Sequence, residues 1–122
     1  MSLYEECIGK LGKEALILSE VETIQLFDSL QDCFPFTFYG RIDWSQVKAK
    51  QKFDLLVENA VDVRAYILWD NALFPAIESK LSNILENIDY IKRVSFDTWI
   101  YAPEEFVIEF YHEGEIMIGY SE

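Results

Sequence analysis

Hydrophobic positions along the chain change period several times, and each change marks an element. Residues 2–10 form a short helix with Leu3, Cys7 and Ile8 along one side and Gly9 and Gly12 near its end. Ala15, Leu16, Ile17 and Leu18 make a short buried strand. Ser19 followed by Glu22 has the spacing of a capping box, in which a hydroxyl and a carboxylate satisfy the orphan amides of a helix start. That helix carries Val21, Ile24, Phe27 and Leu30, with Leu26 beside them, and ends before Pro35. Residues 36–61 are less decided. Phe36, Thr37, Phe38 and Tyr39 are strand formers, Gly40 punctuates them, Asp43-Trp44-Ser45 suggests a turn, and residues 46–56 fit either a strand or a short helix.

Residues 63–69 alternate as a strand, with Val63, Ala65, Ile67 and Trp69 on one side. Pro75 suits a first helical turn. Ile77, Leu81, Ile84, Leu85 and Ile88 then fall at i, i+4, i+7, i+8 and i+11, a continuous helical stripe. Three strands follow, with apolar faces Val94-Phe96-Thr98-Ile100, Phe106-Ile108-Phe110 and Ile116-Ile118. The segments Ala102-Pro103-Glu104 and Glu113-Gly114-Glu115 connect them. Side chains alternate with period 2, so these even-numbered residues share a face only if the turns have odd length, as in a three-residue loop with a bulge. The helix of the Ile77 stripe is the natural cover for that face. The expected fold is α+β: a single domain over residues 1–122 with a largely antiparallel β-sheet and helices packed on one face.

Composition supports a core without metals or disulfides: 51% of the 122 residues are hydrophobic and 16% aromatic. The two cysteines, Cys7 and Cys33, read as buried free thiols, which fits a reducing compartment. No signal peptide or membrane-length apolar run is apparent, so the expected location is the cytoplasm. Charge adds the strongest global signal. Ten Lys and Arg stand against 22 Asp and Glu, for a net −12. Such a surface repels phosphates and anionic membranes and attracts basic proteins. The acid is concentrated late: after Arg93 come Asp97, Glu104, Glu105, Glu109, Glu113, Glu115 and Glu122 with no Lys or Arg. Asp97, Glu109, Glu113 and Glu115 fall on the odd-numbered sheet face, interleaved with Trp99, Tyr101, Val107 and Tyr111. Carboxylates for steering among aromatics for anchoring describe a surface for a basic partner, and Asp97, Trp99, Glu109, Tyr111 and Glu113 are its expected contacts. The competing readings are a solvated back face and a further helix covering it. Arg41, Lys48, Lys50 and Lys52, the one basic region, read as a solvated, charge-balancing face.

Catalytic chemistry is poorly supported. His112 is the only histidine and has no ligand-spaced Cys or His for zinc. No nucleophile motif and no phosphate-binding glycine loop occurs. The expectation is no catalytic, metal or cofactor site.

The runs Trp69-Asp70-Asn71, Ser95-Phe96-Asp97-Thr98-Trp99 and Ile108-Glu109-Phe110-Tyr111-His112-Glu113-Gly114, with Pro75 and the helix at 81–88 between them, resemble immunity proteins of bacterial contact-dependent growth inhibition (CDI) systems. The likeness covers residues 69–119. It implies a cytosolic, non-catalytic protein that binds the toxic carboxy-terminal domain of a large secreted effector, often a nuclease, whose basic groove an acidic inhibitor would suit. The alternative is an acidic adaptor or regulatory module with a non-toxin partner.

Overall fold

A computed structural model of the chain describes residues 2–53, 63–71 and 73–121. Helix α1 (Leu3–Leu11) starts at Ser2, whose hydroxyl accepts from the Glu5 amide, and stops at Gly12. Strand β1 (Leu16–Ile17) leads into α2 (Glu20–Cys33), where both hydrogen bonds of the Ser19–Glu22 capping box form, each at 3.1 Å. A helical turn at Trp44–Gln46 precedes β2 (Lys50–Lys52). Then come β3 (Arg64–Trp69), β4 (Ile77–Lys80), α3 (Leu81–Glu86), α4 (Ile88–Lys92), β5 (Thr98–Ala102), β6 (Phe106–Phe110) and β7 (Ile116–Tyr120). The strands form one sheet in the order β1-β4-β3-β5-β6-β7-β2, every neighbouring pair antiparallel. The expected strand or helix within 46–56 is β2 as far as Lys52; its part from residue 54 lies outside the described residues.

The expected parity is present. Thr98 pairs with Phe110, Ile100 with Ile108, and Ile108 with Ile118. The β5–β6 connection is the three residues Pro103, Glu104 and Glu105, with Glu104 in the left-handed region at φ 67°. In the β6–β7 connection that conformation falls to Gly114, at φ 97°.

Four local expectations are corrected. Ile77 opens a strand, not a helix: Ile77 and Ser79 are buried at period 2 in β4, and Pro75 precedes it. Over so few residues, strand and helix periods both fit an Ile77–Leu81 spacing. The helical stripe begins at Leu81 and is interrupted at Asn87, whose side-chain amide donates back to the Asn83 carbonyl at 2.9 Å. The strand expected from Val94 begins at Thr98, leaving Phe96 80% exposed. Leu16 and Ile17 lie half-exposed at the sheet edge, and Cys33 is exposed while Cys7 is buried.

Both sheet faces are covered. On the first, Ile67, Trp69, Ile100, Ile108, Phe110 and Ile118 pack with Cys7 and Leu11 of α1 and with Leu81, Ile84, Ile88 and Ile91 of α3 and α4. The Trp69 indole donates to the Ile91 carbonyl at 3.0 Å, tying α4 to the sheet. On the second, Leu68, Trp99, Tyr101 and Val107 pack beneath Leu30, Phe34, Ile42, Trp44 and Val47. The α+β antiparallel fold therefore stands, with helices on both faces: α2 and the chain running from it to Val47 form a second layer over the face expected to be open. The physical reason is that α2 buries Thr23, Leu30 and the flank of Phe27, while Val21 and Ile24 point outward.

Candidate partner-binding surface

The covering layer is pinned by one carboxylate. Glu109, at 0% exposure, accepts five hydrogen bonds. Its Oε1 takes Arg41 Nε (3.1 Å), Arg41 Nη2 (2.9 Å) and Trp44 Nε1 (2.9 Å). Its Oε2 takes the Ile42 amide (2.8 Å) and Trp99 Nε1 (3.1 Å). A buried carboxylate is tolerable only when its charge and lone pairs are met in this way. Arg41 also reaches Glu115 at 2.8 Å and lies 4.1 Å from the Tyr111 ring centroid. Burial disfavours its charge, but hydrogen bonds to Glu115 and Glu109 outweigh that and raise its pKa further. Arg41 is thus an internal tie, which corrects its assignment to a solvated basic face; Lys50 and Lys52 are exposed on edge strand β2, where lysine discourages edge-to-edge pairing.

The five expected contact residues consequently separate. Trp99 and Glu109 lie together inside the second core, Trp99 between Phe27 and Phe36 at centroid distances of 6.2 and 5.7 Å. Asp97, Tyr111 and Glu113 meet at one end of the sheet, around the hairpin of β6 and β7. Asp97 Oδ1 accepts from the His112 amide at 2.8 Å and contacts His112 Nδ1 at 3.0 Å, so it fastens the hairpin to the loop before β5. The same loop is joined to the end of β3, where Asp70 Oδ1 accepts from the Asp97 amide at 3.1 Å. Tyr111 stacks obliquely on His112 at 4.2 Å. Burial, with the negative charge of Glu113 and Asp97, holds its phenol above the ordinary 10.0, and Glu113 is exposed at the tip.

Sequence reasoning missed the apolar part of this end. Phe38 is 100% exposed, and Tyr39, Leu73 and Phe96 are also exposed. Phe96 lies edge-on to His112, 6.2 Å between centroids, beside a cleft of ≈ 490 Å³ that Lys92, Arg93 and Tyr111 also line. The available signal was Phe38-Tyr39-Gly40: adjacent aromatics before a turn glycine cannot both face one core. Among the described residues, no three His, Cys, Asp or Glu side chains form a metal-ligand group, and no helix is long and apolar enough to cross a membrane.

This is an α+β domain with the exposed aromatics Phe38, Tyr39 and Phe96 and the carboxylates of Asp70, Asp97 and Glu113 in loops at one end of the sheet. Residues 1–119 match the family model described as CdiI immunity protein, EcoliA0-like, and the chain belongs to that family of CDI immunity proteins. The match extends through the first half of the chain, where the sequence resemblance was silent. A comparison with curated proteins finds no match.

Proposed function

We propose that this protein neutralises a cognate CDI toxin domain by stoichiometric binding in the cytoplasm, without catalysis, and that the toxin is a basic nuclease. Membership of the immunity family carries the toxin-binding part. The net charge of −12 and the acidic loop end favour a partner with a cationic groove. The contact surface is the hairpin end bearing Asp97, Tyr111 and Glu113; Trp99 and Glu109 act beneath it by holding the covering layer in place.

The test is co-expression with the toxin domain encoded beside this gene. Growth is the expected result, and cell death despite accumulation of this protein would sink the proposal. Nuclease inhibition is read separately, by titrating the purified toxin domain on RNA and DNA: cleavage should end at one equivalent. His112→Ala should still protect, because a binding protein has no use for an imidazole base.

A further inference from the structure

We infer that the turn carrying Phe38 and Tyr39, with the cleft at its foot, is a second docking element that receives a basic segment of the toxin domain led by an Arg or Lys side chain. The inference rests on the toxin-binding reading above and locates a part of the interface away from the hairpin tip.

The turn is built to hold an aromatic in water. Phe36 and Ile42 form a bridge at its base. Above them, the Thr37 amide donates to the Arg41 carbonyl at 2.7 Å, and the Gly40 amide to the Thr37 carbonyl at 3.2 Å. Gly40, at φ 91°, supplies the left-handed conformation that closes the turn. Its root is fixed by the Glu109 bonds to Arg41 and Ile42. Phe38 contributes nothing to either core, yet it stands fully exposed on a backbone with little freedom left to lose. A rigid exposed aromatic is an interface anchor in form: it offers large area at small ordering cost.

The cleft beside it specifies the occupant. Its volume is ≈ 290 Å³, and Phe27, Phe36, Tyr39 and Trp99 line it together with Asp70 and Asp97. Each Asp is already oriented through Oδ1, by the Asp97 amide and the His112 amide respectively. Aromatic faces with fixed carboxylates suit a guanidinium or ammonium group, through cation–π attraction and charge-assisted hydrogen bonds. The molecule contains its own example, since Arg41 sits over Tyr111 while paired with Glu109 and Glu115. A basic segment therefore complements the site in charge.

The experiment measures binding of a catalytically inactivated toxin domain from the neighbouring gene to four proteins: wild type, Phe38→Ala, Asp70→Asn and Glu113→Gln. Asp70→Asn keeps the oxygen that accepts the Asp97 amide and removes only the charge. Phe38→Ala should keep the wild-type melting temperature and weaken binding about tenfold or more. Asp70→Asn should slow association and flatten its salt dependence. If wild type binds and both turn-and-cleft variants bind equally well, the docking element is overturned while toxin binding stands; loss confined to Glu113→Gln has the same meaning. If wild type itself neither binds nor protects, the functional reading fails, and the occupant assigned to this cleft fails with it.

Discussion

Glu109 and Arg41, 68 residues apart in sequence, meet at 2.9 Å beneath the layer that covers the second face of the sheet. The pair is asymmetric: Glu109 is wholly enclosed, whereas Arg41 keeps a 17% exposed edge and a second carboxylate partner, Glu115. Replacing Glu109 by Ala leaves two indole N–H groups and the Ile42 amide without their acceptor and Arg41 with Glu115 as its remaining carboxylate. Removing one member of a buried ion pair costs about 3–5 kcal/mol. Urea denaturation of Glu109→Ala should show a loss of that order, whereas Glu113→Ala, at an exposed turn tip, should stay within about 0.5 kcal/mol of wild type.

Gly119 gives an independent probe of the same layer. A Cβ built there would lie 2.7 Å from Trp44 Cζ3 and 3.3 Å from a Val47 methyl carbon. The indole cannot tip aside freely, because its Nε1 is bonded to Glu109. Gly119→Ala should therefore destabilise the protein by about 1–3 kcal/mol through overpacking, although alanine normally favours a folded strand over glycine. Thermal unfolding decides the sign, and a stabilised variant would mean that Trp44 does not rest on β7.

These two contacts show why one half of the architecture was legible in sequence and the other was not. The first face is written in alternation: Ile100, Ile108 and Ile118 pair across three consecutive strands, and odd-length turns were enough to place them together. The second face depends on Arg41, Trp44 and Glu109, which no local period connects. An alternating Glu in a strand reads as solvent-facing, and Glu109 is buried only because residues far earlier supply its donors. The same limitation affected the site. Strand parity and local charge density nominated Asp97, Tyr111 and Glu113, and the fold brings these three to one end of the sheet. The same parity grouped Trp99 and Glu109 with them, but parity assigns a face and cannot say what lies over it, and both are buried. Phe38 and Phe96 were missed because strand-forming residues at loop tips carry the same local signature as strand-forming residues in a core.

The two thiols should differ sharply in reactivity. Cys7 is enclosed in the first core, and burial pushes its pKa from 9.0 up to about 11. It is both inaccessible and protonated at neutral pH, and the thiolate is the reactive form. Cys33 is exposed at the end of α2. An aromatic disulfide reagent at neutral pH should modify one thiol per chain promptly, and the second only after denaturant is added. Cys33→Ser should abolish the fast phase, whereas Cys7→Ser should leave it intact.

Stability should decline at both pH extremes, for opposite reasons. On the alkaline side, burial raises Cys7 to about 11 and Tyr4 to about 12, the latter with a contribution from Cys7, and raises Tyr101 to about 12 with help from its contact to Cys33. Their ordinary values are 9.0 for the thiol and 10.0 for the phenols, so the unfolded chain releases these protons first. The folded state then binds more protons than the unfolded one, and stability falls as pH rises. Their contribution is intact below pH 9.0 and is lost as pH climbs through about 11 to 12. On the acid side, Glu14 is held below its ordinary 4.5 by the Ser79 hydroxyl first, then by Arg64 and the Lys80 amide. Its contribution is present above 4.5 and is lost as pH falls through its lowered value. Urea midpoints measured across the range should trace a plateau with both flanks descending. Tyr4→Phe, which removes one of the raised phenols, should make the alkaline flank shallower and leave the acid flank unchanged.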